Sequence, residues 1–155
     1  MIKKIIVLIV VFILGFLIGS SRGPEVKELG GVEVKAIDKV NLINVADKFK
    51  EEFTNKRAGF EFGFIAQVPT GSVELFKVKD EIKMHYHPNE NHILYILKGT
   101  AKGKVGDVDA EIKTGDLVVI PSGVHHTLKN MGEGPLEFIL FSTPAFNPED
   151  IHFVE

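Results

Sequence analysis

The stretch MHYHPNENHILYILKG, Met84 to Gly99, holds three of the chain's six histidines within eight positions, and a fourth follows in PSGVHHTLKN. His85 and His87 are two apart, so in an extended strand both side chains leave the same face. Such a pair is a ready clamp for one metal ion, and imidazole suits Zn, Cu, Ni and Fe. Pro88 to Asn91 reads as a turn, after which His92 opens the next strand. A tight hairpin would bring His92 back beside the pair. His126 follows a Pro121-x-Gly123 hinge in another turn-flanked strand. Taken singly, each of these is more often a hydrogen-bonded core or surface histidine than a ligand. Four of them at matching strand edges point to a metal centre.

The strands that must position these residues are legible around them. From Phe60 onward, short apolar runs such as FEFGFIAQV, VELFKV, HILYILKG, LVVIP and LEFILFS alternate with turn residues. About nine such runs, spaced roughly ten residues apart, predict an antiparallel sandwich or small barrel. No helical period recurs between them, which argues against a parallel α/β sheet. HILYILKG and LVVIP are apolar on both faces and are expected as interior strands. VELFKVK alternates and is expected to turn one face to solvent. Ahead of the strands, NVADKFKEEFTNK spaces Val45, Phe49 and Phe53 four apart and predicts an amphipathic helix over 44–56.

Composition agrees with one globular domain. The chain has 155 residues, and its 15 glycines and seven prolines suit a turn-rich all-β fold. No cysteine is present, which excludes disulfides, thiolate metal sites and a cysteine nucleophile. The net charge of −3, without a basic patch, argues against a nucleic-acid partner. At the N-terminus, Lys3 and Lys4 precede an uncharged run from Ile5 to Ser21. As a helix that run would span about 25 Å, against about 30 Å of hydrocarbon core. The layout fits a signal peptide or an uncleaved membrane anchor, and its basic flank places the remainder outside the cytoplasm. The expected organisation is residues 1–21 as signal or transmembrane anchor, 22–58 as linker and short helix, and 59–155 as the β-barrel domain.

HYHPNENHILYILKG resembles the first motif of the cupin superfamily, H-x-H-x(3,4)-E-x(6)-G, and GDLVVIPSGVHHTLKN resembles the second, G-x(5)-P-x-G-x(2)-H-x(3)-N. Gly115, Pro121, Gly123, His126 and Asn130 fall in register with the second, and fifteen residues separate Gly99 from Gly115. The resemblance covers about Gly71 to Thr143. It implies a double-stranded β-helix, or jelly-roll barrel, with a metal inside its mouth, and it implies His85, His87 and His126 as ligands. Two positions depart from the pattern. Lys79 stands where the first motif usually begins with glycine. His92 stands where the family carries its ligand glutamate, while Glu90, two residues earlier, would need a shifted turn to reach the metal. His92 is therefore expected as the fourth ligand, or else as a pocket group beside an open three-histidine site. Four neutral imidazoles would leave a divalent ion its full +2 charge and favour Cu, Fe, Zn or Ni over Mn or Mg. They would also remove a carboxylate able to act as general base.

Shorter readings cover the other candidates. His125 should point away from His126, and His152 in the polar tail should be exposed. Tyr95 is expected in the core. Phe138 and Phe141 have opposite parity, so one faces the interior and the other is free for a partner. The expected function is a metal-binding barrel that holds a small molecule; the alternative is a metal-dependent oxidoreductase of the cupin dioxygenase type. A barrel that has lost its metal is disfavoured by the four histidines. By analogy with the family, a homodimer through an outer sheet face is expected, and residues 5–21, if uncleaved, would tether the chain to a membrane.

Overall fold

The computed structural model describes residues 27–29, 32–34 and 40–154. The apolar run expected as signal peptide or anchor lies outside them. Among the described residues no helix is long and apolar enough to cross a membrane.

Two short strands, β1 (Lys27–Leu29) and β2 (Val32–Val34), pair as an antiparallel ribbon. Eleven more follow: β3 (Asn55–Arg57), β4 (Phe60–Val68), β5 (Gly71–Val78), β6 (Glu81–Tyr86), β7 (Asn91–Lys98), β8 (Thr100–Val105), β9 (Val108–Lys113), β10 (Leu117–Ile120), β11 (His126–Asn130), β12 (Leu136–Thr143) and β13 (His152–Phe153). They form a six-stranded sheet, β10-β7-β12-β5-β4-β3, facing a five-stranded sheet, β13-β6-β11-β8-β9. Every pairing is antiparallel. The insertion of β12 between β5 and β7, and of β11 between β6 and β8, is the crossover order of a jelly roll.

Alternation along the strands fills the space between the sheets. On β12, Leu136, Phe138 and Leu140 are buried and point inward, while Phe141 points out. Phe138 stacks on Phe76 at 5.0 Å between ring centroids, and Phe76 stacks on Phe62 at 5.1 Å. Each such pair adds roughly 0.5–1.5 kcal/mol beyond the area it buries.

Three strand and helix expectations are corrected. LVVIP forms β10, an edge strand rather than an interior one; Leu117 and Val119 face outward and are exposed, since only β7 lies beside it. VELFKVK opens its outer face to solvent only in part, with Val73 and Lys77 half-buried and Lys79 exposed. Its β5 lies within the sheet with Glu74 inward and fully buried, and outward Leu75 is buried as well, opposite Gly63. The predicted helix over 44–56 shrinks to α1 (Val45–Lys48), capped by the Asn44 side chain, which accepts from the Asp47 amide at 3.1 Å. So short a helix gains little of its own. Phe53 instead lies buried against Gly63 and the Lys77 ammonium, and Asn55–Arg57 is drawn into the sheet as β3.

Two glycines of the motif pattern are required by the backbone. Gly99 has φ +95°, and a Cβ there would meet Leu136 Cα at 3.1 Å. Gly123 has φ +77°, and its amide donates to the His87 carbonyl at 2.7 Å, tying the turn before His126 to the end of β6.

Candidate metal centre

The histidines converge because three strand ends meet at one end of the barrel. Lys83, His85 and His87 share one parity on β6 and its extension, so both rings enter the interior. β11 pairs with β6 so that His126 stands opposite His85. β7 begins beside β10 and β12 and delivers His92 from the other sheet, opposite Ile120 and Ser142. All four rings are buried. Ring centroids lie 4.2 Å apart for His85 and His126, 4.2 Å for His87 and His92, and 5.1 Å for His85 and His87.

Two sets of three groups could hold a metal ion: His85, His87 and His126, and His87, Glu90 and His92, each with its ligand atoms within 4.8 Å of one another. His87 belongs to both. The backbone prepares two of the rings: His85 Nδ1 lies 2.7 Å from the Lys83 carbonyl and His126 Nδ1 lies 2.9 Å from the Val124 carbonyl. Carbonyls only accept, so both rings carry their proton on Nδ1 and leave the Nε2 lone pair free. Neither ring nitrogen of His87, by contrast, has a hydrogen-bond partner among the described residues. A buried polar atom without a partner costs roughly 1–3 kcal/mol, and a metal ion would satisfy it.

Electrostatics point the same way. Burial first, and then the neighbouring imidazoles, push the His87 pKa down to about 2 and that of His126 down to about 3. Burial likewise lowers His85. These rings are neutral at neutral pH, the form that ligates metals.

Glu90 needs no shifted turn to reach the site. It is buried, with Oε2 at 3.1 Å from His92 Nε2 and 3.9 Å from His87 Nδ1. The Asn147 amide donates to its Oε1 at 2.5 Å. The carboxylate expected to be missing is therefore present beside His92. What fixes it is Asp150, whose carboxylate accepts from the Asn89 and Glu90 amides at 3.0 Å each and from Asn89 Nδ2 at 2.6 Å. Asp150 was not foreseen: it is 60 residues away in the tail and has no spacing signal. The parity of Glu90 with His92 was the available clue to the other.

The remaining candidates lie elsewhere. His125 and His152 are exposed and flank Tyr86, at 4.6 and 5.2 Å between ring centroids, outside the cluster. Tyr95 is not in the core: it faces outward, 41% exposed, because its parity is opposite to that of His92 and Leu94. Beyond the histidines the interior opens into a cavity of about 750 Å³, walled by Phe60, Phe62, Phe76 and Phe138.

The family model described as "Cupin domain" matches residues 72–142. An uncharacterized protein of Methanocaldococcus jannaschii is 32% identical over 90 residues, 58% of this chain and 66% of that protein. The oxalate-binding protein of Thermotoga maritima is 36% identical over 58 residues, 37% of this chain and 48% of that protein. The chain thus spans about half to two thirds of these relatives' lengths. A solved structure from Klebsiella pneumoniae, a protein with a double-stranded β-helix domain, superposes with a TM-score of 0.62 at 18% identity, over 76% of this chain and 99% of that one. At that identity the likeness concerns the fold. The matched family segment contains the whole histidine cluster, and residues 72–142 of the chain form a cupin domain.

Proposed function

We propose that this chain is an extracytoplasmic metal-binding cupin that captures a small molecule in its barrel. His85, His87 and His126 would hold a divalent transition ion, with His92 as fourth ligand and Glu90 orienting it through the 3.1 Å contact. The observation that carries this reading is His87, buried, neutral and without a partner on either nitrogen among the described residues. The imidazole-rich donor set favours Cu, Fe, Zn or Ni over Mn or Mg. When bound, the ion would act as a Lewis acid toward an oxygen donor of the captured molecule. Support for a location outside the cytoplasm, and for a membrane tether through residues 5–21, comes from the basic flank and apolar run of the sequence. A homodimer would form through the outer face of the six-stranded sheet.

The test is elemental analysis of the full chain purified without chelator or added metal, beside His87→Ala and His92→Ala. About one ion per chain is expected, absent in the first variant and reduced in the second. A chain that carries no metal and takes none up on titration would overturn the reading.

Glu90 favours a second reading. A buried carboxylate beside the cluster supplies the base that turnover needs. A metal-dependent oxidoreductase of the dioxygenase type would consume oxygen when loaded with Fe or Cu, and Glu90→Gln would slow it while keeping the metal.

A further inference from the structure

The four histidines occupy one end of a cavity far larger than they need. At about 750 Å³ it lies in the range of roughly 300–1,000 Å³ that encloses drug-sized ligands. Its six-stranded wall is a ladder of phenylalanines: Phe60 on Phe76 at 6.0 Å and 23°, Phe62 on Phe76 at 5.1 Å and 11°, and Phe76 on Phe138 at 5.0 Å and 5°. Leu94 and Leu140 extend the apolar lining toward the histidines. The exposed lining residues Arg57 and Lys83 mark the rim with two positive charges, against one negative charge from Glu81.

A two-carbon diacid fits such a space badly. It has no apolar surface to offer the ladder, and a carboxylate turned toward phenylalanine would lose hydration without a partner. A flat ring, in contrast, can lie against parallel phenylalanines in offset or edge-on contact. A single oxygen anion suits the histidine end, and the basic rim attracts it from solution.

We propose that the cavity takes a planar aromatic molecule with one anionic oxygen donor, a carboxylate or phenolate, its ring against Phe60, Phe76 and Phe138 and its donor toward the histidines. The donor end rests on the metal reading above, whereas the ring end stands on the phenylalanine wall alone. The chain thereby differs from what its oxalate-binding relative is named for.

The experiment is titration calorimetry of the full chain with 2-naphthoate and with oxalate, both loaded with Zn(II) and metal-free. Zinc content and thermal melts are recorded for each sample. Naphthoate is expected to bind at least ten times more tightly than oxalate to the loaded chain. Phe60→Ala should weaken naphthoate by about tenfold while leaving zinc content and oxalate affinity in place. Should Phe60→Ala melt early, Phe60→Leu is read instead, with a smaller loss in the same direction. Oxalate binding as tightly as naphthoate, or naphthoate indifferent to both Phe60 variants, overturns the proposal. A chain that takes up no zinc defeats the metal reading separately; the aromatic wall is then judged on the metal-free chain, where naphthoate must still outbind oxalate.

Discussion

The five-stranded sheet turns His85 and His126 inward and charge outward, with Lys102 opposite Glu111 and Lys104 opposite Asp109 across β8 and β9. The six-stranded sheet turns phenylalanine inward; its outer face carries a charged row, Glu61, Lys77, Glu137 and Lys98, at one end and apolar rows beyond it. Leu117, Tyr95 and Ile139 form one cross-strand row, and Val119, Ile93, Phe141 and Val73 form the next. Scattered exposed apolar residues are ordinary, but contiguous rows mark a contact surface. One barrel thus divides its labour by sheet. The first holds most of the proposed ligands and meets water; the second lines the cavity with phenylalanine and leaves apolar rows outside, where we propose that a second copy docks.

Breaking the histidine side should have the largest effect. An ion bound at 1,000 times its dissociation constant stabilises the fold by about 4 kcal/mol. Stripping metal with chelator should therefore lower the thermal midpoint by roughly 8–16 °C for a chain of this size. In His87→Ala, chelator should change nothing. Equal chelator sensitivity in the two proteins would mean that the ion sits elsewhere.

The phenylalanine side contains one group that contradicts its character. Glu74 is fully buried on β5, with Ser142 Oγ donating to its Oε2 at 3.3 Å and Oε1 without a partner among the described residues. Burial pushes its pKa up to about 8, so the carboxyl is largely protonated at neutral pH. In the unfolded chain it would titrate near 4.5. Between these values the folded chain holds the extra proton. The contribution is complete below the unfolded value and is lost as pH rises through about 8. Relative to Glu74→Gln, the parent should lose about 2 kcal/mol between pH 6 and 7.5, as one proton's linkage of roughly 1.4 kcal/mol per pH unit requires. Parallel denaturation curves for the two proteins over that range would show Glu74 ionised throughout.

The division between the sheets was only half legible in the sequence. Strand texture and the two motif spacings located the barrel, and parity placed His85 and His87 on one face, because a period of two is local. The same parity links Glu90 to His92, yet the motif count favours His92 and gives Glu90 a place only through a shifted turn, which the structure does not need. Tyr95 and β10 were misplaced for another reason: apolar runs show that a strand is apolar, not which neighbour covers it. Asp150 and the Phe53 contact at Gly63 depend on chain crossings between distant segments. No local pattern announces those.

The outer rows of the six-stranded sheet predict association. Replacing Ile93 and Phe141, neighbours across β7 and β12, with glutamate should weaken a dimer by more than about tenfold, read by sedimentation velocity. Metal content should not change, since both side chains point away from the cavity. A parent chain that sediments as a monomer at all concentrations would remove the assignment of that face.

The smallest effect belongs to the outer face of the other sheet. Lys102→Glu sets two like charges against each other across β8 and β9, opposite Glu111. Both groups are exposed, so water screens the repulsion and the loss should stay within about 0.2–1 kcal/mol. It should shrink further in high salt and leave sedimentation and metal content alone. A loss of several kcal/mol, or a changed oligomer, would mean that this face too is covered by a partner. The contrast between the sheets would then fail on its outer side, even if the histidine and phenylalanine faces within kept theirs.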